Sequence, residues 1–128
     1  MTSIEIPVSI AAALPSLSVM DITNDVSREV AAAEAKDGIA YLHADSPLSL
    51  VRVQERETGI FEDVESLLER VVPSSQSGRE KLLVLLLGPR SEQVPVADGA
   101  LCLGQYQRIL LFSLDALHRP EWTLTLLG

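Results

Sequence analysis

The sequence predicts an α+β domain, and three observations lead there. The chain has 128 residues, the size of one ordinary domain, so residues 1–128 are read as a single unit. Hydrophobic residues make up 47% and charged residues 22%, which is enough apolar material to bury a core. The elements run helix, two strands, helix, then several strands, which is not the alternation of a βαβ repeat.

Each element has a local reason. Residues Ile4–Ile10 read as a short strand, with Pro7 placing it at an edge or a strand start. Ala11–Ala13 and Pro15 read as a connector, and Ser16–Met20 as a second strand. Asp21-Ile22-Thr23-Asn24-Asp25 supplies capping oxygens for a helix over Val26–Ala35, whose stripe is Val26, Val30 and Ala33. Asp37-Gly38 is expected to end it, since glycine tolerates the left-handed cap. Gly38–Ala44 and Leu48–Gln54 then read as strands joined by the turn Asp45-Ser46-Pro47. In the second, Leu48, Leu50 and Arg52 share one face, and Ser49, Val51 and Val53 share the other.

The clearest helix follows Gly59. Ile60, Phe61, Val64, Leu67, Leu68 and Val71 fall on one face, with Glu62, Asp63, Glu65, Glu69 and Arg70 outward, and Pro73 closes it. The run from Lys81 to Leu87 is too uniformly apolar for periodicity to choose between helix and strand. Gly88-Pro89 breaks the chain. Gln93–Val96, Ala100–Leu103, Tyr106–Leu114 and Trp122–Leu127 read as strands.

Composition narrows the function classes. The net charge of −8 and a pI near 4.6 argue against a nucleic-acid partner, which demands basic patches. A lone cysteine, Cys102, forms no disulfide framework or cysteine zinc cage and is expected to be a small buried hydrophobe. The apolar run Leu82–Leu87 is too short to cross a bilayer, and the N-terminal residues lack the basic region of a signal peptide. A cytoplasmic protein with no membrane partner is therefore expected.

The residues alone offer little chemistry. There are two histidines: His43 on a strand, expected to be structural, and His118 in a loop. The densest polar cluster is Gln54-Glu55-Arg56-Glu57. Glu55 and Glu57 on extended backbone would share a face and could serve as a metal or acid–base pair, or simply form a solvated strand end. Arg79 and Lys81 flank Glu80 beside a serine-rich loop and read as solvated cations.

A family resemblance adds more. "DITNDV" at 21–26, "DGIA" at 37–40, "TGIFEDVESLLERVVP" at 58–73, "LLGP" at 86–89, "VPVADG" at 94–99 and "LGQYQRILLFSLD" at 103–115 resemble the YjbQ family across nearly the whole chain. Members of that family are described as secondary thiamine-phosphate synthase-like. The resemblance implies an antiparallel α+β sandwich with two main helices, assembled as a homotrimer. It also implies divalent-metal ligands drawn from a strand motif H-T-[ST]-x-x-L-T-x-N-E and a later N-D-G-N-x-H-x-H-like segment.

The chain departs from that pattern at the ligands. A register without gaps from Gly38 to Gly59 sets Ser46 on the family histidine and Gln54-Glu55 on the N-E pair; matching His43 instead needs a three-residue insertion. Counting back from Gly88-Pro89 sets Arg79 and Lys81 on the H-x-H positions. Arginine cannot deprotonate to bind a metal, and lysine does so only at a large pKa cost, so no metal cofactor is expected; His43 is the one surviving candidate ligand. The substitutions suggest an anion pocket of Ser46, Arg79 and Lys81, with Glu55 paired to a cation and Gln107 at the family's glutamine position. Asp115 and Arg119 match later family positions. Two functions follow from the resemblance: a non-catalytic or anion-binding homotrimer, or a thiamine-phosphate synthase-like transferase working through Glu55, Arg79 and Lys81.

Overall fold

A computed structural model of the protein describes residues 10–114 and 120–128. The first sheet has the order β1-β2-β7-β4, from strands β1 (Ile10–Ala13), β2 (Ser18–Asp21), β7 (Gln107–Ser113) and β4 (Ser49–Glu55). The second has the order β6-β5-β3-β8, from β6 (Ala100–Leu101), β5 (Ser91–Ala97), β3 (Gly38–Ala44) and β8 (Trp122–Leu127). Every pairing is antiparallel. The helices are α1 (Thr23–Ala32), α2 (Thr58–Val71) and α3 (Arg79–Leu87). This is an α+β fold.

Two apolar cores explain the layers. One lies between the sheets: Ala40, Leu42, Val94 and Val96 meet Val51, Ile109 and Leu111, with Ile22, Val26 and Val30 of the α1 segment completing it. The other lies on the outer face of the first sheet, where α2 and α3 bring Phe61, Leu68, Val72 and Leu83 against Val19 and Leu110. The division follows from strand alternation. On β4, Val51 pairs with Leu111 toward the second sheet, while Leu50 pairs with Phe112 and Arg52 with Leu110 toward the helices. The face assignment made for this strand from sequence therefore holds.

Several expectations need correction. Ala11–Ala13 form part of β1 rather than a connector, because β2 offers them an antiparallel partner; residues 4–9 of the expected first strand lie outside the described residues. Helix α1 begins at Thr23, because the Asp21 carboxylate accepts the Thr23 N–H and hydroxyl, and it stops at Ala32. Gly38 opens β3 instead of capping that helix. The ambiguous apolar run belongs to α3, a third helix, opened by Gly78 in the left-handed conformation at φ 69°. Cys102 is exposed: its neighbours Leu101 and Leu103 pack on the inter-sheet core, which turns the intervening side chain outward. On α2 the core-facing stripe is narrower than predicted, since Leu67 and Val71 are exposed.

Candidate functional site

The residues singled out from sequence fall in three places. Ser46 sits in the turn before β4, where its carbonyl accepts the Ser49 N–H and hydroxyl and its own hydroxyl accepts the Glu121 N–H. Glu55 is at the far end of β4, about 20 Å along the strand at roughly 3.3 Å per residue. There Glu55 and Gln107 are brought together as direct cross-strand partners, and the Gln107 amide oxygen accepts the Gly104 N–H. Arg79 and Lys81 open α3, whereas Ser46 lies beyond that helix's other end, beside Arg90. Among the described residues these five therefore do not form one site.

Arg79 does something local. Only 6% exposed, it donates from Nε to the Val72 carbonyl at 2.6 Å and places Nη2 3.5 Å from a Glu69 carboxylate oxygen. Its guanidinium thereby satisfies an end carbonyl of α2 and ties α2 to α3. Hydrogen bonds from the Ser74 N–H and hydroxyl, with the Arg79 charge, hold the Glu69 carboxyl below its usual range. Lys81 is exposed, as is His43, which pairs across β3 with Ser91 and Thr123. Among the described residues no group of three or more His, Cys, Asp or Glu could hold a metal ion. His118, Asp115 and Arg119 lie outside the described residues.

A stronger polar cluster stands where β2, β4 and β7 end together. Asp21 is almost fully buried, yet Arg108 Nε reaches one of its carboxylate oxygens at 2.8 Å and Arg56 Nη1 reaches the same oxygen at 3.4 Å. Its other oxygen accepts both donors of Thr23, and the Thr23 hydroxyl in turn accepts the Ile109 N–H at 2.7 Å. Burial would raise the Asp21 carboxyl; the hydrogen bonds from Arg108 and Thr23, with the Arg108 charge, outweigh it and hold the group below its usual range. Arg56 also donates to the Ile10 carbonyl, and Arg108 to the Asn24 side chain.

Register decides which charges share this surface. Asp21 and Arg52 both pair with Leu110, and Gln54 pairs with Arg108, so all four side chains lie on the helix-covered face of the first sheet. Arg56, one residue past β4, continues that row through its contact with Asp21. Glu55 and Gln107 occupy the alternate positions and project from the opposite face. The strands and their ends thus carry three arginines and one carboxylate on one face. The sequence marks Asp21 only as a helix cap and does not single out Arg108, although its two-residue spacing from the apolar Leu110 sets both on one strand face.

Fold and site together define a small two-sheet α+β protein with an arginine-rich sheet end. A sequence profile of the UPF0047 protein YjbQ-like family matches residues 12–128, and the chain belongs to that family. It is 32% identical over 108 residues to a UPF0047 protein of Archaeoglobus fulgidus, covering 77% of this chain and 82% of the relative. A UPF0047 protein of Methanothermobacter thermautotrophicus is 31% identical over 108 residues, covering 77% of this chain and 75% of the relative. Among solved structures, an uncharacterized conserved YjbQ/UPF0047-family protein from Clostridium acetobutylicum superposes with a TM-score of 0.79 at 20% identity, covering 90% of this chain and 95% of that one. A hypothetical protein from Aeropyrum pernix K1 also gives 0.79, at 23% identity, covering 91% and 92%.

Proposed function

We propose that this chain is a non-catalytic member of the YjbQ/UPF0047 family that binds a small anion and works as a homotrimer. One observation carries the reading: Arg52, Arg56 and Arg108 share a sheet face with the single carboxylate of Asp21. Two guanidiniums about one-third exposed converge on one buried acid, so the strands of that face carry more cations than anions in a chain whose net charge is −8. Such forks suit carboxylate or phosphate oxygens. The commitment of Arg79 to the end of α2 supports the non-catalytic half, because one position matched to a family histidine has a scaffolding role here. For the trimer, Leu82, Leu85 and Leu86 on α3 are 40%, 78% and 61% exposed and give an assembly apolar surface to bury.

A second reading keeps the same cations. A synthase-like enzyme acting on phosphorylated thiamine precursors must also neutralise phosphoryl charge, and the arginine row would supply part of it. Titration calorimetry with inorganic phosphate tests the proposal. Wild-type protein is expected to saturate, with Arg56→Gln and Arg108→Gln each weakening binding about tenfold and Lys81→Gln changing it less than about twofold. Light scattering on the same sample is expected to give the mass of three 13.9 kDa chains. Binding that ignores the two arginines, or a monomer mass, would overturn the corresponding half.

A further inference from the structure

Beside the arginine row a cleft opens between the first sheet and α2. It holds about 230 Å³ and is lined by Leu50, Arg52 and Gln54 of β4, Phe112 of β7, and Phe61 and Val64 of α2, among others. The walls are mostly apolar. Phe61 and Phe112 meet edge to face, with ring centroids 6.0 Å apart and planes at 81°, so two aromatic rings form a rigid wall. An engineered apolar cavity of about 150 Å³ accepts benzene, so this volume suits a body somewhat larger than one ring. It is small for most drug-sized ligands.

The polar group at this cleft is unusual in its partners. Arg52 donates from Nη1 to the Val51 and Pro89 carbonyls and from Nη2 to the Leu87 carbonyl, which ties β4 to the end of α3. All three acceptors are neutral. Among the described residues no carboxylate lies within ion-pair distance of Arg52, in contrast to Arg56, Arg79 and Arg108. Those three bonds leave the Nε hydrogen and one Nη2 hydrogen of the guanidinium unassigned. A half-buried cation against apolar walls is stabilised most by an anion that displaces little water of its own.

We infer that this cleft binds a small organic acid with an apolar body, its carboxylate on Arg52 and its body against Phe112, Val64 and Ile60. This rests on the anion-binding reading and specifies the ligand class. A free phosphate would satisfy the guanidinium but leave the apolar walls wet. A neutral amide of the same shape would fill the walls but leave the charge unmatched. Only an acid with an apolar body satisfies both. Gln54, exposed at the rim, adds an amide within the same lining.

Phenylacetate, phenylacetamide and inorganic phosphate are the probes, followed by calorimetry and by ¹⁵N–¹H spectra of the full chain. Phenylacetate is expected to bind about tenfold or more tighter than phenylacetamide, and to shift the amides of Leu50, Arg52 and Val64. Val64→Trp, which fills the cleft without touching Arg56 or Arg108, is expected to abolish phenylacetate binding and to spare phosphate binding. Ile60→Trp blocks the same cleft from α2, away from Arg56 and Arg108, and serves if Val64→Trp does not fold. Equal binding of acid and amide overturns the inference, as does phenylacetate binding that survives a folded blocking variant; in both cases retained phosphate binding leaves the anion reading standing. If neither phosphate nor phenylacetate binds, both fall.

Discussion

Asp21→Ala is expected to destabilise the fold by about 3 kcal/mol, measured by chemical denaturation, because it breaks a buried ion pair from the acidic side. The carboxylate accepts from Thr23 N, Thr23 Oγ1, Arg108 Nε and Arg56 Nη1. Its removal leaves two guanidiniums converging on nothing and a helix start without its acceptor. The Thr23 hydroxyl would lose its acceptor while still receiving the Ile109 N–H, so the tie between α1 and β7 weakens as well. The pH dependence follows from the lowered carboxyl. In the unfolded chain Asp21 titrates near the ordinary value of about 3.9. As pH falls the unfolded state takes up its proton first, so the stabilisation is complete above that value and is lost as pH drops through the lower folded one. Asp21→Asn should remove this acid-sensitive component. A variant with wild-type stability at pH 7 would show that the cluster contributes nothing to the fold.

Gly38→Ala is expected to cost at least about 3 kcal/mol, or to prevent folding, through a different mechanism. Gly38 has φ of 155°, and a β-carbon there would stand 2.1 Å from the Leu127 carbonyl oxygen. That atom is backbone at the end of β8, so no side chain can move to relieve the clash. The strands β3 and β8 would have to separate where they now pair from Ile39–Leu127 to Ala44–Trp122. Thermal unfolding followed by circular dichroism checks this. A melting temperature equal to wild type would mean that β8 is not held in this register.

Much of this fold is legible in the residues, for physical reasons that can be named. The bounds of β3, and those of β4 to within one residue, follow from the Asp45-Ser46-Pro47 turn, and α2 from its apolar spacing, because one buried face forces one periodicity. Helix α3 is different. It carries leucines on every side, so it has no face to read, and it is placed only once Leu83 is seen against α2 and the first sheet. Gly38 is read both as a helix end and as the start of β3, and the second holds; local sequence cannot reveal that the end of β8 approaches it from about ninety residues further along the chain.

The site was less legible for a related reason. Glu55, read first from its polar cluster and then from the resemblance, meets Gln107, read from the resemblance, across β4 and β7, but the antiparallel register that joins them also sends Arg108, Arg56 and Asp21 to the other face. A linear motif does not specify which face a residue occupies until the partner strand is known. Arg79 and Lys81 matched two family histidine positions by counting, whereas burial decides what Arg79 does: it sits under the end of α2 with Val72 and Glu69.

The central claim is that guanidinium groups, with no metal ion, hold an anion on this protein. The measurement that tests it most directly is phosphate titration before and after incubation with zinc, manganese and magnesium, with elemental analysis after desalting and a parallel titration in EDTA. The account predicts no stoichiometric metal in the desalted protein and the same phosphate affinity in EDTA as without it. Stoichiometric metal retained after desalting, together with phosphate binding that EDTA abolishes, would contradict it and return His43 and the synthase-like reading to the front.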